Sequence, residues 1–230
     1  MKHTSLLYLL IFFLFTACQR EEESQPAGTG YLSLSSLEVS NVDVVPVKTR
    51  AVNTELAIEI EKADGTPVVS YEAGAPEASA KIELEAGEYV LKAYTSNYGQ
   101  VWDDSAQGEP VFYKEQEFTI AAEKVNYLTV ICPMVNIGVR LVLPEGFSEW
   151  FNDYSFSARI GERNVNLRNG ETAYYALPDE GQEAVGLSYS LSATNADDES
   201  LSKEGSYTGI TAGVVYEITY SFASQSFVLR

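Results

Sequence analysis

The sequence predicts an all-β protein, built as two tandem Greek-key β-sandwiches with at most one short helix. Two observations lead to this prediction. Apolar and polar residues alternate with a period of two over many short segments, which is the pattern of half-buried strands. The segments recur every 8–12 residues or so between Gly, Asn and Asp turn signals, a spacing typical of sandwiches. About seven segments precede Pro133 and about seven follow it, so we expect one sandwich over 31–133 and another over 134–230.

Several strands of the first half are clear from the alternation. They cover 56–60, 82–84 and 89–93. Another, at 127–132, is apolar at nearly every position, so we expect it to be buried on both faces in the centre of a sheet. Cys132, which lies in this apolar run, is expected to be a core residue.

The second half repeats the pattern and adds one helical signal. Phe147, Trp150 and Phe151 fall at i, i+3 and i+4, which predicts one or two helical turns packed on a sheet edge. Strands are expected at 139–143, 154–160, 165–167, 187–193 and 216–222, with a short last strand at 226–229.

The composition excludes several function classes. The chain has 230 residues, with 15 Lys and Arg against 33 Asp and Glu, and a net charge of −18. Such a chain repels phosphate backbones, so we expect no nucleic-acid partner. The single histidine is His3, and neither a zinc site nor a Ser-His-Asp triad can be built without histidine in the folded part. Neither a G-x-S-x-G elbow nor a phosphate-binding loop occurs. We therefore predict no enzyme activity, no metal and no cofactor.

The N-terminus has the form of a bacterial secretion signal. Lys2 precedes an apolar run over 6–15 that is too short to span a bilayer. Thr16-Ala17-Cys18 resembles the lipobox, which implies a signal peptide over 1–17, diacylglycerol transfer to Cys18 and acylation (palmitate) of its new amino terminus. An acidic cluster over 19–24 resembles the surface-export tag of Bacteroidetes lipoproteins. We expect a flexible lipidated tether over 18–30 and a surface-exposed location on the outer membrane.

The best candidate for a ligand site is an aromatic loop in the first half. Aromatic faces beside carboxylates could stack on sugar rings and bond to their hydroxyls. The alternative is that these aromatics close the end of the sandwich with their polar tips at the surface. Carboxylates at 103–104 and 197–199 could also hold a hard cation, although solvated loop tips are the simpler interpretation in so acidic a chain. The residues singled out as ligand-binding are Tyr98, Trp102, Asp103, Asp104 and Tyr113.

Several segments, in their order along the chain, resemble a family of Bacteroidetes lipoproteins. The order resembles domain-of-unknown-function family 4493 and, in architecture, the fimbrillin-like pilus subunits of the same phylum. The second resemblance implies two transthyretin-like sandwiches. The segments that carry the resemblance are Gly30-Tyr31-Leu32-Ser33-Leu34, Lys48-Thr49-Arg50-Ala51, the run over 84–94, the Trp102-Asp103 loop and Glu117-Phe118-Thr119-Ile120.

The fimbrillin-like resemblance also implies an assembly mechanism. A trypsin-like protease would cut between Arg50 and Ala51 and release the first strand, 31–45. A strand from the next subunit would then fill the vacated groove by edge pairing, and the segment 216–229 is the expected donor. The side chains that would leave the groove are Leu32, Leu34, Val39, Val42 and Val44.

Two function classes follow from these observations. The first is a non-enzymatic surface lipoprotein, a fimbrillin-like pilus or adhesin component whose partners are related pilus subunits. An uncut version would be a tip, base or stand-alone lipoprotein. The second is a carbohydrate-binding outer-membrane lipoprotein that binds a host or dietary glycan at the Trp102 loop. An exposed Trp102 in an open cleft would favour the second class, and a buried Trp102 would oppose it.

Overall fold

A computed structural model describes residues 28–40, 55–75, 81–177 and 184–230. The predicted signal peptide, Cys18, most of the tether and the bond between Arg50 and Ala51 lie outside these residues. Within them, no helix is long and apolar enough to cross a membrane.

The described residues form strands joined by short turns, together with one helical turn. The elements are β1 Thr29–Val39, β2 Leu56–Lys62, β3 Pro67–Tyr71, β4 Ile82–Glu85, β5 Gly87–Thr95, β6 Tyr113–Ile120, β7 Val125–Cys132, β8 Ile137–Val142, α1 Phe147–Trp150, β9 Phe151–Ile160, β10 Arg163–Asn166, β11 Thr172–Tyr175, β12 Val185–Asn195, β13 Ser200–Ile210, β14 Val215–Ser221 and β15 Ser226–Leu229.

The strands form four sheets that pack as two sandwiches. In the first sandwich the sheet orders are β4-β1-β7 and β3-β2-β5-β6, and in the second they are β10-β9-β12-β13 and β11-β8-β14-β15. Each sandwich has its own apolar core. This confirms the predicted all-β class with two sandwiches and one short helix.

The two cores follow from the alternation along the strands. Inward positions of β2 and β5, such as Ile58 and Leu91, are fully buried in the first core, and Cys132 is buried there as predicted. Phe156 and Leu187 play the same part in the second core. Burying such side chains contributes about 1.5–3 kcal/mol each, so the cores hold the sheets together.

The prediction for β7 was wrong in one respect. The strand pairs only with β1 and therefore lies at the edge of its sheet. Tyr127 and Ile131 point to solvent and are 72% and 53% exposed, whereas Val130 and Cys132 on the other face are buried. The sequence pattern misled because the solvent-facing positions of this strand also carry large apolar side chains.

Two boundaries differ from the prediction. β1 begins at Thr29, inside the range 18–30 predicted as tether, because Gly30 packs tightly against the turn between β6 and β7. The helix α1 is a single turn that ends where Phe151 starts β9. Phe147 is buried, but Trp150 is exposed and does not pack on a sheet edge.

The strand register defines two regions of the molecule, the junction and the distal pole. The junction is where the sandwiches meet, and it comprises residues 101–112, 133–136, 163–164, 174 and 213–215. The distal pole is the end of the second sandwich away from the junction. β8 and β14 run from the junction to this pole, where the loops 143–150, 167–171, 196–199 and 222–225 lie.

Candidate functional site

β1 occupies the middle of its sheet and completes the first core. It pairs antiparallel with β4 through residues 29–32 and parallel with β7 through residues 31–39. Leu32 is fully buried, and Leu34, Leu37 and Val39 pack against the same core. Removing β1 would therefore leave a groove between β4 and β7 with the apolar core at its base.

The start of β1 is held by backbone contacts that only glycine permits. A Cβ on Gly30 would lie 2.3 Å from the carbonyl oxygen of Ala121, a clash with backbone. Tyr31 donates its backbone N–H to the carbonyl of Lys124 at 2.8 Å. Ala86 donates its N–H to the carbonyl of Gly28 at 2.7 Å. These contacts fix the register of the strand where it enters the fold.

The pairing of β1 with β7 contains a bulge at Ser35. The register shifts between Leu34 and Ser36, so Ser35 has no partner residue in β7. Its hydroxyl instead donates to the carbonyl of Leu128 at 3.1 Å and lies 3.0 Å from the hydroxyl of Thr129. A bulge of this kind interrupts the ladder and twists the strand locally.

Some of the residues predicted for strand exchange can be located and others cannot. Leu32, Leu34 and Val39 lie in β1 and reach the core. Val42, Val44, Arg50 and Ala51 lie outside the described residues.

The predicted donor segment is integrated into the second sandwich. It covers β14 and β15, and β14 lies between β8 and β15 in its sheet. Ile218 and Tyr220 of β14 and Phe227 of β15 are buried in the second core. β15 is an edge strand that pairs on one side only. Donating the whole segment would open this sheet.

The loop that contains Trp102 lies at the junction. The indole of Trp102 is half-buried and covers the Cα of Gly108, where a Cβ would lie 3.1 Å from the ring. Asp103 accepts hydrogen bonds from the hydroxyl of Ser105 at 2.5 Å and from the backbone N–H groups of Ser105 at 2.8 Å and Ala106 at 3.2 Å. These bonds, the one from the Ser105 hydroxyl foremost, lower the pKa of the Asp103 carboxyl. Asp104 accepts the backbone N–H of Asn164 in the second sandwich at 3.0 Å.

Arg163 connects the Trp102 loop to the second sandwich through hydrogen bonds of its guanidinium. Its Nε donates to the carbonyl of Asp103 at 3.2 Å, and its two terminal nitrogens donate to the carbonyls of Tyr174 and Ala106. The guanidinium also lies 5.1 Å from the ring centre of Tyr175. One fork of donors thus binds three carbonyls that come from both sandwiches.

Asn136 makes a second connection at the junction. This side chain is buried, and its Oδ1 accepts the backbone N–H of Val111 at 3.0 Å while its Nδ2 donates to the carbonyl of Glu109 at 2.9 Å. Val215 at the start of β14 packs into the core of the first sandwich. Sequence reasoning missed Arg163 and Asn136 because the residues of the first sandwich that they bind lie 25 or more positions away, where no local pattern indicates them.

Tyr98 and Tyr113 form a separate aromatic pair on the first sandwich. Their rings stack with centres 4.6 Å apart, and Tyr98 also contacts Tyr94 at 5.5 Å. The Tyr113 hydroxyl donates to Glu115 at 2.8 Å, and burial together with this bond raises the pKa of Tyr113. Tyr98 covers one face of Tyr113 and is itself 47% exposed.

The second group of carboxylates, 197–199, belongs to a tight hairpin between β12 and β13. Asn195 Oδ1 accepts the backbone N–H groups of Asp197 at 3.0 Å and Glu199 at 2.8 Å. Its Nδ2 donates to the Glu199 carboxylate at 2.9 Å. Across the described ranges, no group of three or more His, Cys, Asp or Glu residues is placed to hold a metal ion.

Comparison with protein-family models identifies the family of the chain. The model of DUF4493, a domain of unknown function, matches residues 28–227. The chain belongs to this family. The match begins just before β1 and ends within β15, so it spans both sandwiches. A search of curated protein sequences found no match to the chain.

Among solved structures, this DUF4493 protein resembles several in shape at low identity. A protein described as a cell adhesion protein, from Bacteroides eggerthii, is 11% identical with a TM-score of 0.47, over 84% of this chain and 85% of that one. A Bacteroides thetaiotaomicron protein described as polysaccharide-binding is 10% identical with a TM-score of 0.45, over 84% and 91%. The major pilin of Bacillus cereus is 12% identical with a TM-score of 0.28, over 88% and 75%.

In this DUF4493 protein, the five residues predicted to bind a ligand therefore lie in two separate places. Trp102, Asp103 and Asp104 lie in the junction, where their contacts are with the loop itself and with the second sandwich. Tyr98 and Tyr113 stack on each other on the first sandwich. Ligand binding by these residues stays a prediction.

Proposed function

We propose that this DUF4493 protein is a non-enzymatic surface lipoprotein, anchored through Cys18, that acts in adhesion or pilus assembly. We propose further that subunits join by exchange of a β-strand at the position of β1. The observation that supports this most directly is the place of β1, since a strand between two neighbours can be removed to leave a groove with two free edges.

The chain around β1 also supports the proposal. The last residue described after β1 is Ser40, whose N–H donates to the carbonyl of Cys132 at 2.8 Å. The proposed cut after Arg50 follows ten residues later in the sequence. A cut there would free β1 at its C-terminal end and leave the rest of the fold in one piece. Leu32, fully buried, would then have to be replaced by a donor side chain.

Donation of the segment 216–229 would disrupt the second sandwich of the donor subunit. If 216–229 is the donor, β14 must leave the centre of its sheet and Ile218, Tyr220 and Phe227 must leave the second core. Exchange then needs the second sandwich of the donor subunit to open. If the chain is not cut, the protein acts as a lipid-anchored tip, base or stand-alone adhesin.

Limited proteolysis tests the mechanism. The mature chain, starting at Cys18 with Cys18→Ser, is treated briefly with trypsin, the cut is identified by intact mass, and oligomers are followed by size-exclusion chromatography. We expect an early cut after Arg50, in addition to cutting after Arg20 in the tether, and oligomers that grow afterwards. The double variant Lys48→Gln/Arg50→Gln should abolish the cut near β1 and the oligomers, whereas Lys48→Gln alone should leave both intact. A cut protein that stays monomeric would contradict strand exchange and leave the anchored adhesin.

A reversible disulfide between β1 and β4 tests whether β1 must leave its groove before oligomers can form. Tyr31 and Glu83 are partners in the antiparallel pairing of β1 with β4. Partner residues of such a pair lie about 4.5–5.5 Å apart, within reach of a disulfide. The double variant Tyr31→Cys/Glu83→Cys should be cut by trypsin yet stay monomeric until a reductant is added. Oligomers that form while the disulfide is intact would show that assembly does not use the β1 groove.

A further inference from the structure

The distal pole carries an exposed tryptophan. The chain has two tryptophans, and Trp102 is half-buried in the junction. Trp150, the last residue of α1, is 69% exposed. Tryptophan normally buries most of its large apolar ring. An indole so fully exposed at the end of a protein suggests a surface that takes a ligand.

A buried aromatic cluster surrounds Phe147 in the same helical turn as Trp150. Phe147, one helical turn before Trp150, is buried and contacts the rings of Phe151, Tyr154 and Tyr220 at centre distances of 4.8, 5.7 and 5.5 Å. Its ring also stacks on that of Phe222, which is itself 40% exposed. The pole thus presents two exposed apolar rings, Trp150 and Phe222, and the second of them packs on this buried cluster.

The charged residues of the distal pole indicate which class of ligand it can bind. They are almost all acidic, with Arg168 as the exception. A protein interface is depleted of charge at its core, and acidic residues are repelled by anionic lipid and by phosphate or uronate groups. Carboxylates are, however, good acceptors for sugar hydroxyls. The acidic residues are Glu145, Glu149, Asp153, Glu171, Asp197, Asp198 and Glu199.

We infer that the distal pole binds an uncharged polysaccharide, with one pyranose ring stacked on Trp150. The C–H face of such a ring is apolar and weakly positive, so it packs on the negative face of an indole. Exposed Glu149 and Asp153 lie close to Trp150 in the sequence and would accept bonds from the hydroxyls.

The position of the pole suits this role. β1 enters the first sandwich at the end away from the junction, and the distal pole is the end of the second sandwich away from the junction. The proposed site therefore lies at the opposite end of the chain of two sandwiches from the tether. The inference rests on the proposed adhesin role, and it does not depend on strand exchange.

Affinity electrophoresis of the uncut mature chain with Cys18→Ser tests the inference. The gels contain dextran, galactomannan, neutral arabinoxylan or mixed-linkage β-glucan as uncharged probes, and polygalacturonate as the anionic probe. We expect at least one uncharged polymer to retard the protein and polygalacturonate to have no effect. Trp150→Ala should weaken the binding at least tenfold. Tyr127→Ala, which removes a comparably exposed aromatic ring from the first sandwich outside both candidate sites, should leave it unchanged.

Fluorescence locates the contact directly. In Trp102→Phe, Trp150 is the sole tryptophan, so the bound polymer should shift or quench its emission. Retardation that is equal in wild type and Trp150→Ala, a preference for polygalacturonate, or no retardation by any uncharged polymer would overturn the inference. Because the protein in this assay is uncut and monomeric, its outcome is independent of the trypsin assay, and either proposal can fail without the other.

Discussion

Gly30 shows how one residue decides where the fold begins. A methyl group there meets the carbonyl of Ala121 at 2.3 Å, and backbone cannot yield as a flexible side chain can. Gly30→Ala should lower the free energy of unfolding by about 1–3 kcal/mol, the usual cost of overpacking. Urea unfolding measures the change. Gly186→Ala is the matched control, since its nearest neighbour would be 3.8 Å away, and an equal loss in both variants would contradict the packing argument.

Cys132, the last residue of β7, is buried in the first core, and burial raises the pKa of its thiol from its ordinary 9.0 to about 11. The folded state therefore favours the neutral thiol. This contribution to stability is complete below pH 9 and is lost as the pH rises from 9 to 11. The stability of the chain with Cys18→Ser should fall over that range relative to the same chain with Cys132→Ala as well, as measured by urea unfolding.

The reactivity of the thiol gives an independent check. The raised pKa lowers the thiolate fraction about 100-fold at pH 8 relative to an exposed cysteine, and burial slows access further. Labelling of the folded protein by a thiol reagent should therefore be more than 100-fold slower than after unfolding in urea. Rapid labelling of the folded chain would mean that Cys132 is not enclosed.

The two tryptophans show that similar surroundings in the sequence can lead to different surroundings in the fold. Trp102 precedes two aspartates, and Trp150 follows a glutamate, so their surroundings in the sequence look alike. What separates them is tertiary. Gly108 lies beneath the ring of Trp102, and Arg163, 61 positions from it, binds its loop to the second sandwich. No spacing in the sequence predicts such contacts.

At the scale of elements, alternation located most strands but could not say what lies on their outer faces. The exposed positions of β7 are apolar, so the sequence predicts a buried central strand where the structure has a half-exposed edge strand. β13 went unpredicted for the opposite reason. Its residues are largely polar and include two glycines, yet it pairs with β12 along most of its length. Pairing through the backbone holds a strand whose side chains give little signal.

The hairpin between β12 and β13 depends on Asn195. Its side chain accepts two backbone N–H groups of the turn and donates to Glu199. Asn195→Ala removes these bonds at a largely exposed site and should lower the free energy of unfolding by about 1–2 kcal/mol. Ser202→Ala, on exposed β13, should change it by less than about 0.5 kcal/mol. Thermal or urea unfolding compares the two, and a similar small effect of both would contradict a structural role for Asn195.

At the scale of the whole molecule, the junction joins two sandwiches that each have a separate core. Arg163 and Asn136 join them through backbone carbonyls and amides, and Val215 extends from the second sandwich into the first core. The sequence indicates two domains but contains no local signal for the contacts between them.

Arg163→Leu tests the junction. The substitution keeps an apolar stem beside Tyr175 and removes the donors to three carbonyls. The loss of three hydrogen bonds should lower the free energy of unfolding, and water that binds the freed carbonyls should limit this loss to about 1–3 kcal/mol. The loop should also loosen. In a Trp150→Phe background, Trp102 emission should shift to longer wavelength and become more sensitive to acrylamide.

Arg159→Leu provides the control for this test, because Arg159 is exposed on the second sandwich and lies outside the junction. It should leave both the stability and the emission of Trp102 nearly unchanged. In a Trp102→Phe background, where Trp150 alone emits from the distal pole, Arg163→Leu should have little effect on the emission. Equal changes at both tryptophans would mean that Arg163 stabilises the second sandwich itself rather than its connection to the first.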